Sequence, residues 1–372
     1  MAEDREIGSE RPFRIRPGDI PNRGITFVDH ERTGRSGHGG QCLVECGNGD
    51  LLAFYSNVSG EIWNGHGVAG WSEYRRSTDG GKTWDERTEL PYSKRVWEEE
   101  DVYSALAFAA VKAPDDSLIL VVSRFQNERW IKQRGPVYLR STDHGKTWTE
   151  ARELEPRAAP GDVALTFDAA FTKDDTVYLV LFGDDGNMGW GPYSLYVSED
   201  NGRTFDRRST LPFHEHDYYV TAGVIEDGDI IVYAYSAHHD EVDERFVPYV
   251  ISRDEGHTWT EVLRANVPKR IRNPQLSARI GDRYFLHGRS GSYGDNANNF
   301  VLYASDNGID WNEGIYLYDG GAGGDCYSTN QVVGRDDPAV PSRLLIQSSI
   351  NYDPDSRRVN ECHWWVEDVV GT

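Results

Sequence analysis

His38 stands between glycines in Gly37-His38-Gly39-Gly40-Gln41, an imidazole whose proton exchanges near neutral pH and whose neighbours permit close approach. Tyr103 and Tyr327 supply phenols, and Arg124 and Arg289 supply guanidiniums able to pair edge-on with a carboxylate. His66, in Asn64-Gly65-His66-Gly67, is a second imidazole. Gln41, Asn273, Gln275 and Asn330 add neutral hydrogen-bonding groups, and Asp168 adds a carboxyl group. A base of near-neutral pKa, a phenolic acid and a guanidinium opposite a carboxylate are the parts needed to remove a proton beside that carboxylate. Each residue also has a plainer reading: a turn for His38, a core position for Tyr103, surface ion pairs for the arginines. These positions span most of the chain, so any joint chemistry depends on elements that bring them together.

A repeat supplies those elements. Four segments read Ser-x-Asp-x-Gly-x-Thr-aromatic: Ser77 to Trp84, Ser141 to Trp148, Ser198 to Phe205 and Ser252 to Trp259. A fifth, Ala304 to Trp311, keeps Asp306, Gly308 and Trp311. In such a hairpin the aspartate accepts backbone N–H bonds, the glycine takes a positive φ, and the aromatic ring packs beneath the turn. Between the boxes lie apolar strand pairs folded at Gly49-Asp50, Asp115-Asp116, Asp174-Asp175, Asp227-Gly228 and Gly281-Asp282, with a further pair near Asp336-Asp337. Period and pairing predict an all-β chain, a β-propeller of six blades, with no spare segment for a seventh. The last blade is expected to close on Cys362–Val366 and a piece of Gly24–Val28. Residues 1–20, including Phe13-Arg14-Ile15-Arg16-Pro17, read as a solvated N-terminal arm, and 21–372 as one domain. The starts and ends of the inner strands then carry the candidate residues to a central mouth.

These boxes resemble the Asp-box, or BNR repeat, of the sialidase superfamily, and the resemblance spans nearly the whole chain. It implies a sialidase-like propeller whose boxes are structural and whose chemistry is central. The first inner strand opens on His38 where typical sialidases open on an arginine motif, and Arg289 stands as a survivor of their arginine triad. Tyr327-Ser328 resembles the Tyr-Ser pair that holds their nucleophile. The histidine is similar to that of propeller lyases and a rhamnosidase acting on rhamnose–uronate glycans. That likeness implies His38 as base and Tyr103 as acid, Arg124 neutralising the uronate, and His66 as a second catalytic histidine. The remaining site residues, Arg289, Gln41, Asn273, Gln275, Tyr327, Asn330 and Asp168, are expected to bind substrate. Elimination from an acidic oligosaccharide or polysaccharide is the favoured expectation. Hydrolysis through Tyr327 and a carboxylate is the alternative, and a non-catalytic propeller binding glycan or protein is the third.

Composition narrows the partners. Asp and Glu total 61 against 39 Lys and Arg, for a net charge of −22, and only 7 of the basic residues are lysine. Acid excess with arginine retained is expected of a protein working in concentrated salt, where self-repulsion is screened. It argues against nucleic acid as partner. No apolar run approaches membrane-spanning length, and the acidic start lacks a leader's apolar stretch, so the expected setting is cytoplasmic. Cys42, Cys46, Cys326 and Cys362 form no metal-ligand spacing and read as buried free thiols, and the pairs His214/His216 and His238/His239 read as solvated loop residues. No metal or cofactor is expected.

Overall fold

Leu118–Phe125, with the sequence LILVVSRF, is buried at every position. A strand so apolar along its whole length must be covered on both faces by neighbouring sheets. The same holds for Ile230–Ser236 and Tyr284–Arg289. By contrast, the short outer strands Thr88–Glu89 and Arg152–Glu153 are exposed. The computed structural model describes residues 5–7, 13–17, 35–36, 40–59, 69–100, 104–125, 133–154, 169–182, 193–214, 217–236, 245–290, 299–318, 327–334, 342–353 and 358–368.

The strands form an all-β, propeller-like array of sheets built from antiparallel runs that begin at a largely buried inner strand. Three are separate four-stranded sheets, beginning at Ala169–Lys173, Asp217–Val224 and Arg272–Leu276. A nine-stranded sheet holds two further runs, which begin at Cys42–Glu45 and Ser104–Lys112. They are joined by a parallel contact of Gly70 with Ser104 and Trp71 with Ala105. The helix Pro91–Glu99 covers that junction: Ser93 Oγ accepts from the Ser72 N–H at 2.8 Å and donates to the Ala105 carbonyl. The remaining sheet, of five strands, unites the chain's two ends and begins at Ser328–Val333. The inner strands pack side by side in chain order, and the last returns to the first.

The boxes tie successive runs together. In each intact box one aspartate oxygen accepts the N–H of the Thr and the other accepts its hydroxyl; for Asp143 these distances are 2.8 and 2.6 Å. Burial opposes ionisation of Asp79, Asp143 and Asp200, but the threonine and backbone hydrogen bonds outweigh it and hold each at about 2. Each box is gripped by the preceding run. Arg76 donates to the His144 carbonyl at 2.7 Å, Arg140 to that of Asn201 at 2.8 Å, and Tyr233 to that of Gly308 at 2.5 Å. Lys173 and Tyr178 both hold Glu255. Arg343, from the last sheet, reaches back to the Gly80 carbonyl at 3.1 Å, so the same device closes the ring. The box glycines are required twice over. Gly81 has φ +88°, and a Cβ there would lie 2.9 Å from the Trp365 ring.

Three sequence expectations need correction. Phe13–Pro17 is a strand rather than an arm: it pairs antiparallel with Arg358–Asp368, and Arg5–Ile7 pairs with it in turn. Its alternation of apolar and charged residues is the period of a strand, and the register sets Arg14 opposite Glu367. The N-terminal strand that closes the last sheet is therefore Phe13–Pro17; Gly24–Val28 lies outside the described residues. The fifth box is also shifted by one residue. Asn307, rather than Asp306, accepts the N–H groups of Ile309 and Asp310, both at 2.9 Å, and Ser305 replaces the usual serine. Asp306 instead pairs outward with Arg283.

Candidate functional site

Two inner strands are broken at equivalent places. Pairing slips between Tyr218 and Thr221 in one run, and between Arg272 and Gln275 in the next. At each slip one non-glycine residue takes a left-handed conformation, Tyr219 and Asn273, both with φ 57°. Asparagine tolerates this region, whereas for a bulky aromatic it is strained by about 1–3 kcal/mol. Bulges of this kind re-aim side chains and are common beside functional sites. Gly288 makes the second one possible, since a Cβ there would lie 2.8 Å from the Arg272 carbonyl oxygen.

The re-aimed side chains meet. The Tyr219 ring stacks on Tyr235 with centroids 6.2 Å apart and meets Tyr327 edge-on at 6.4 Å. The Tyr219 N–H donates to the Tyr193 hydroxyl at 3.1 Å. Arg272 lies over the Tyr235 ring at 5.3 Å, and Arg289 over Tyr327 at 4.4 Å. Four runs thus contribute to one cluster of tyrosines flanked by two guanidiniums. Arg289 is 1% exposed, Tyr327 2% and Asn273 0%. Asn273 is the odd member: neither its amide oxygen nor its nitrogen has a hydrogen-bond partner. A guanidinium held by its flat face addresses an anion through its edge, so this arrangement suits a carboxylate.

Other candidates have different employment. Asn330 Nδ2 approaches His287 Nε2 at 2.9 Å, while His287 Nδ1 meets Ser328 Oγ at 3.1 Å, which clamps the fifth and sixth inner regions together. Burial pushes the His287 imidazole down to about 3. Gln275 donates to the neighbouring Pro274 carbonyl at 2.9 Å. Arg124 runs along its sheet to Glu153 on the outermost strand, at 3.0 Å, and the structure does not gather it with Arg289. Gln41 is buried at the start of the first inner strand, after Gly40, whose φ of +61° sets it against Leu106 and Ala107. His38, His66, Tyr103 and Asp168 lie outside the described residues, as do His216, His238 and His239; His214 is exposed. Of the thiols, Cys42 and Cys46 are free and buried. Sequence reasoning missed Arg272, Tyr219 and Tyr235 as members of the cluster. The doubled tyrosine of Asp217-Tyr218-Tyr219-Val220 was the available signal, but nothing in it announces the bulge.

The BNR/Asp-box repeat model matches residues 75–86 and 139–150. Among solved structures, a protein of unknown function from Dyadobacter fermentans superposes with a TM-score of 0.73 at 16% identity, covering 95% of this chain and 99% of that one. The Hadza microbial sialidase Hz136 gives 0.67 at 14% identity, over 93% of this chain and 68% of its own. The NanB sialidase of Streptococcus pneumoniae gives 0.65 at 12% identity, over 95% and 72%. The vacuolar protein sorting/targeting protein PEP1 of Saccharomyces cerevisiae is 27% identical over 198 residues, 47% of this chain. The chain spans only 12% of the length of that curated relative. Among the described residues no helix is long and apolar enough to cross a membrane. Repeat and superposition together make the chain a BNR/Asp-box β-propeller with a sialidase-like fold.

Proposed function

We propose that this chain is a six-bladed, glycan-cleaving enzyme whose centre takes the carboxylate of an acidic sugar. The blade count rests on splitting the nine-stranded sheet at its parallel contact, which leaves six antiparallel runs with inner strands in cyclic order. The function rests on one observation above all: Arg289 stacked on Tyr327, with Arg272 on Tyr235 nearby. In this reading Arg289 and Arg272 face the substrate carboxylate; a protein carboxylate takes the Tyr327 phenol proton as the phenolic oxygen bonds to the anomeric carbon, the glycosidic oxygen leaves with a proton from water, and a second water then displaces Tyr327 to release the free sugar. The guanidinium on its ring offsets the charge that develops as the phenol loses its proton. Arg289, Tyr327 and Asn273 are buried, and Arg272 is half-buried.

Elimination at a uronate, with His38 and Tyr103 exchanging protons, is the second reading. It draws support from Gly40, whose missing side chain lets the first inner strand lie against Leu106 and Ala107 of the second. That packing sets side by side the two strand starts that His38 and Tyr103 precede. An assay in concentrated salt, chosen for the acidic composition, separates the readings. Oligosaccharides bearing uronates or sialic acid are incubated with the protein, and both ultraviolet absorbance of a 4,5-unsaturated uronate and new reducing ends are followed. Reducing ends without absorbance, lost in Tyr327→Phe, are expected. Absorbance lost in His38→Ala would install elimination instead. Glycan binding without either product would make the chain a binding module.

A further inference from the structure

Tyr219 and Asn273 occupy matching bulges in adjacent runs, with the same φ of 57°. Their side chains fare differently. The Tyr219 ring packs on Tyr235 and Tyr327, and its backbone N–H donates to the Tyr193 hydroxyl. Asn273 is held in the left-handed region, completely buried, with an amide that neither donates nor accepts. Burying an unpaired amide costs about 1–3 kcal/mol in a protein. The backbone is built to keep it there, since Gly288 alone fits opposite the bulge, against the carbonyl oxygens of Arg272 and Asn273.

We infer that Asn273 is a specificity-determining residue that hydrogen-bonds a hydroxyl of the bound acidic sugar. The inference rests on the reading of this cluster as a glycan site. Asn273 follows Arg272 in sequence, and Arg272 is the cross-strand partner of Arg289, so the orphaned amide and both arginines come from one bulged strand pair. The two arginines suit the carboxylate. An amide presents one acceptor and two donors without charge, which suits a group that both donates and accepts. A sugar hydroxyl is such a group. A substrate lacking it leaves the amide unpaired, which is how a buried polar group discriminates.

The test uses Asn273→Gly, which keeps the positive φ and deletes the amide, and Asn273→Asp, which keeps shape and acceptor. Thermal melting is measured first, without ligand. Calorimetric titration follows with methyl β-D-glucuronide, methyl α-D-galacturonide, their monodeoxy analogues and sialic acid, with Arg289→Lys as control. The expected result is a melting temperature for Asn273→Gly equal to or above that of the parent. Binding of the best acidic ligand should weaken roughly 10–100-fold, with loss of discrimination against one deoxy analogue. A melting temperature lowered by several degrees in both variants makes Asn273 structural and overturns the inference. Unchanged affinity in Asn273→Gly, alongside weakened affinity in Arg289→Lys, overturns it while leaving the acidic-sugar reading intact. Failure of the parent protein to bind any of the ligands removes that reading and the inference with it.

Discussion

The rim and the centre of this propeller are built on opposite principles. At the rim one local device recurs: a serine, an aspartate and a threonine close a hairpin, and a side chain of the preceding run grips it. The geometry repeats closely, with the Thr hydroxyl 2.6–2.7 Å from the aspartate in all four intact boxes. At the centre even the two runs that share a bulge contribute different side chains. One brings a strained tyrosine, the next a buried orphan amide and two arginines, the last a tyrosine beneath a guanidinium. Repetition is what holds a ring together, and departure from it is what a site requires.

The comparison is broken most severely at a rim glycine. In Gly202→Val the side chain would enter the space of Ile119, at a backbone φ of +73°. Overpacking and left-handed strain together should cost about 3–5 kcal/mol, read as a lowered denaturation midpoint with an unchanged slope. Because Gly202 reaches no residue of the central cluster, ligand affinity of the surviving folded protein should stay at the parent value. A loss of affinity as large as the loss of stability would show that rim and centre are not separable.

A smaller effect comes from the clamp beneath the centre. Burial lowers His287 and His363 to about 3, against an ordinary value of 6.5. The unfolded chain takes up protons below 6.5 while the folded chain does not until about 3. Stability is therefore complete above pH 6.5 and falls as pH drops from 6.5 towards 3, at up to about 1.4 kcal/mol per pH unit for each histidine. His287→Gln keeps a neutral hydrogen-bonding side chain between Ser328 and Asn330. It should flatten the slope between pH 6 and 4.5 to about half, His363 supplying the rest. Melting temperatures across that range measure it, and an unaltered slope would remove His287 from the account.

These two regions were unequally legible in the sequence. The boxes declare themselves because every group in the hairpin lies within eight residues, and the inner strand pairs follow because their turns carry Gly and Asp. Phe13–Pro17 was misread because its partner strand lies at the far end of the chain, and no local pattern states a pairing that distant. At the centre Arg289, Asn273 and Tyr327 were named from their places at strand starts and ends. The bulges that gather them were invisible, since a slip in register depends on the neighbouring strand. Tyr219 gives no warning of its positive φ, because tyrosine is not a residue chosen for it. Asn330 misled for the converse reason: its amide faces the buried His287.

The acid limb sharpens the rim half of the comparison. Asp143 sits near 2, against an ordinary value of 3.8, because bonds from Thr147, Ser141 and Lys146 outweigh the burial that opposes ionisation. A carboxylate so lowered stabilises the fold above its unfolded value and loses that contribution as pH falls from about 4 to about 2. Asp143→Asn should therefore cost about 1–2 kcal/mol at pH 7, and the gap to the parent should narrow through that window. Denaturation at pH 7 and at pH 2.5 supplies both points.

The smallest expected effect concerns the one box in which the chain has already made that exchange. Asn307 accepts two backbone N–H groups through Oδ1 and donates through Nδ2 to Asp310 at 2.8 Å, where the other boxes use a threonine hydroxyl. The neutral amide is thus matched to the acid that replaces threonine. Asn307→Asp would restore the carboxylate of the other boxes but set it against Asp310, turning a hydrogen bond into like-charge repulsion on an exposed surface. The single change should destabilise by about 0.5–1 kcal/mol at low salt, and less in concentrated salt, where the repulsion is screened. Adding Asp310→Thr should recover the loss, because the pair then reproduces the side-chain chemistry of the intact boxes. A double variant no better than Asn307→Asp alone would mean that the fifth box, one residue shorter than the rest, no longer obeys the rim's rule.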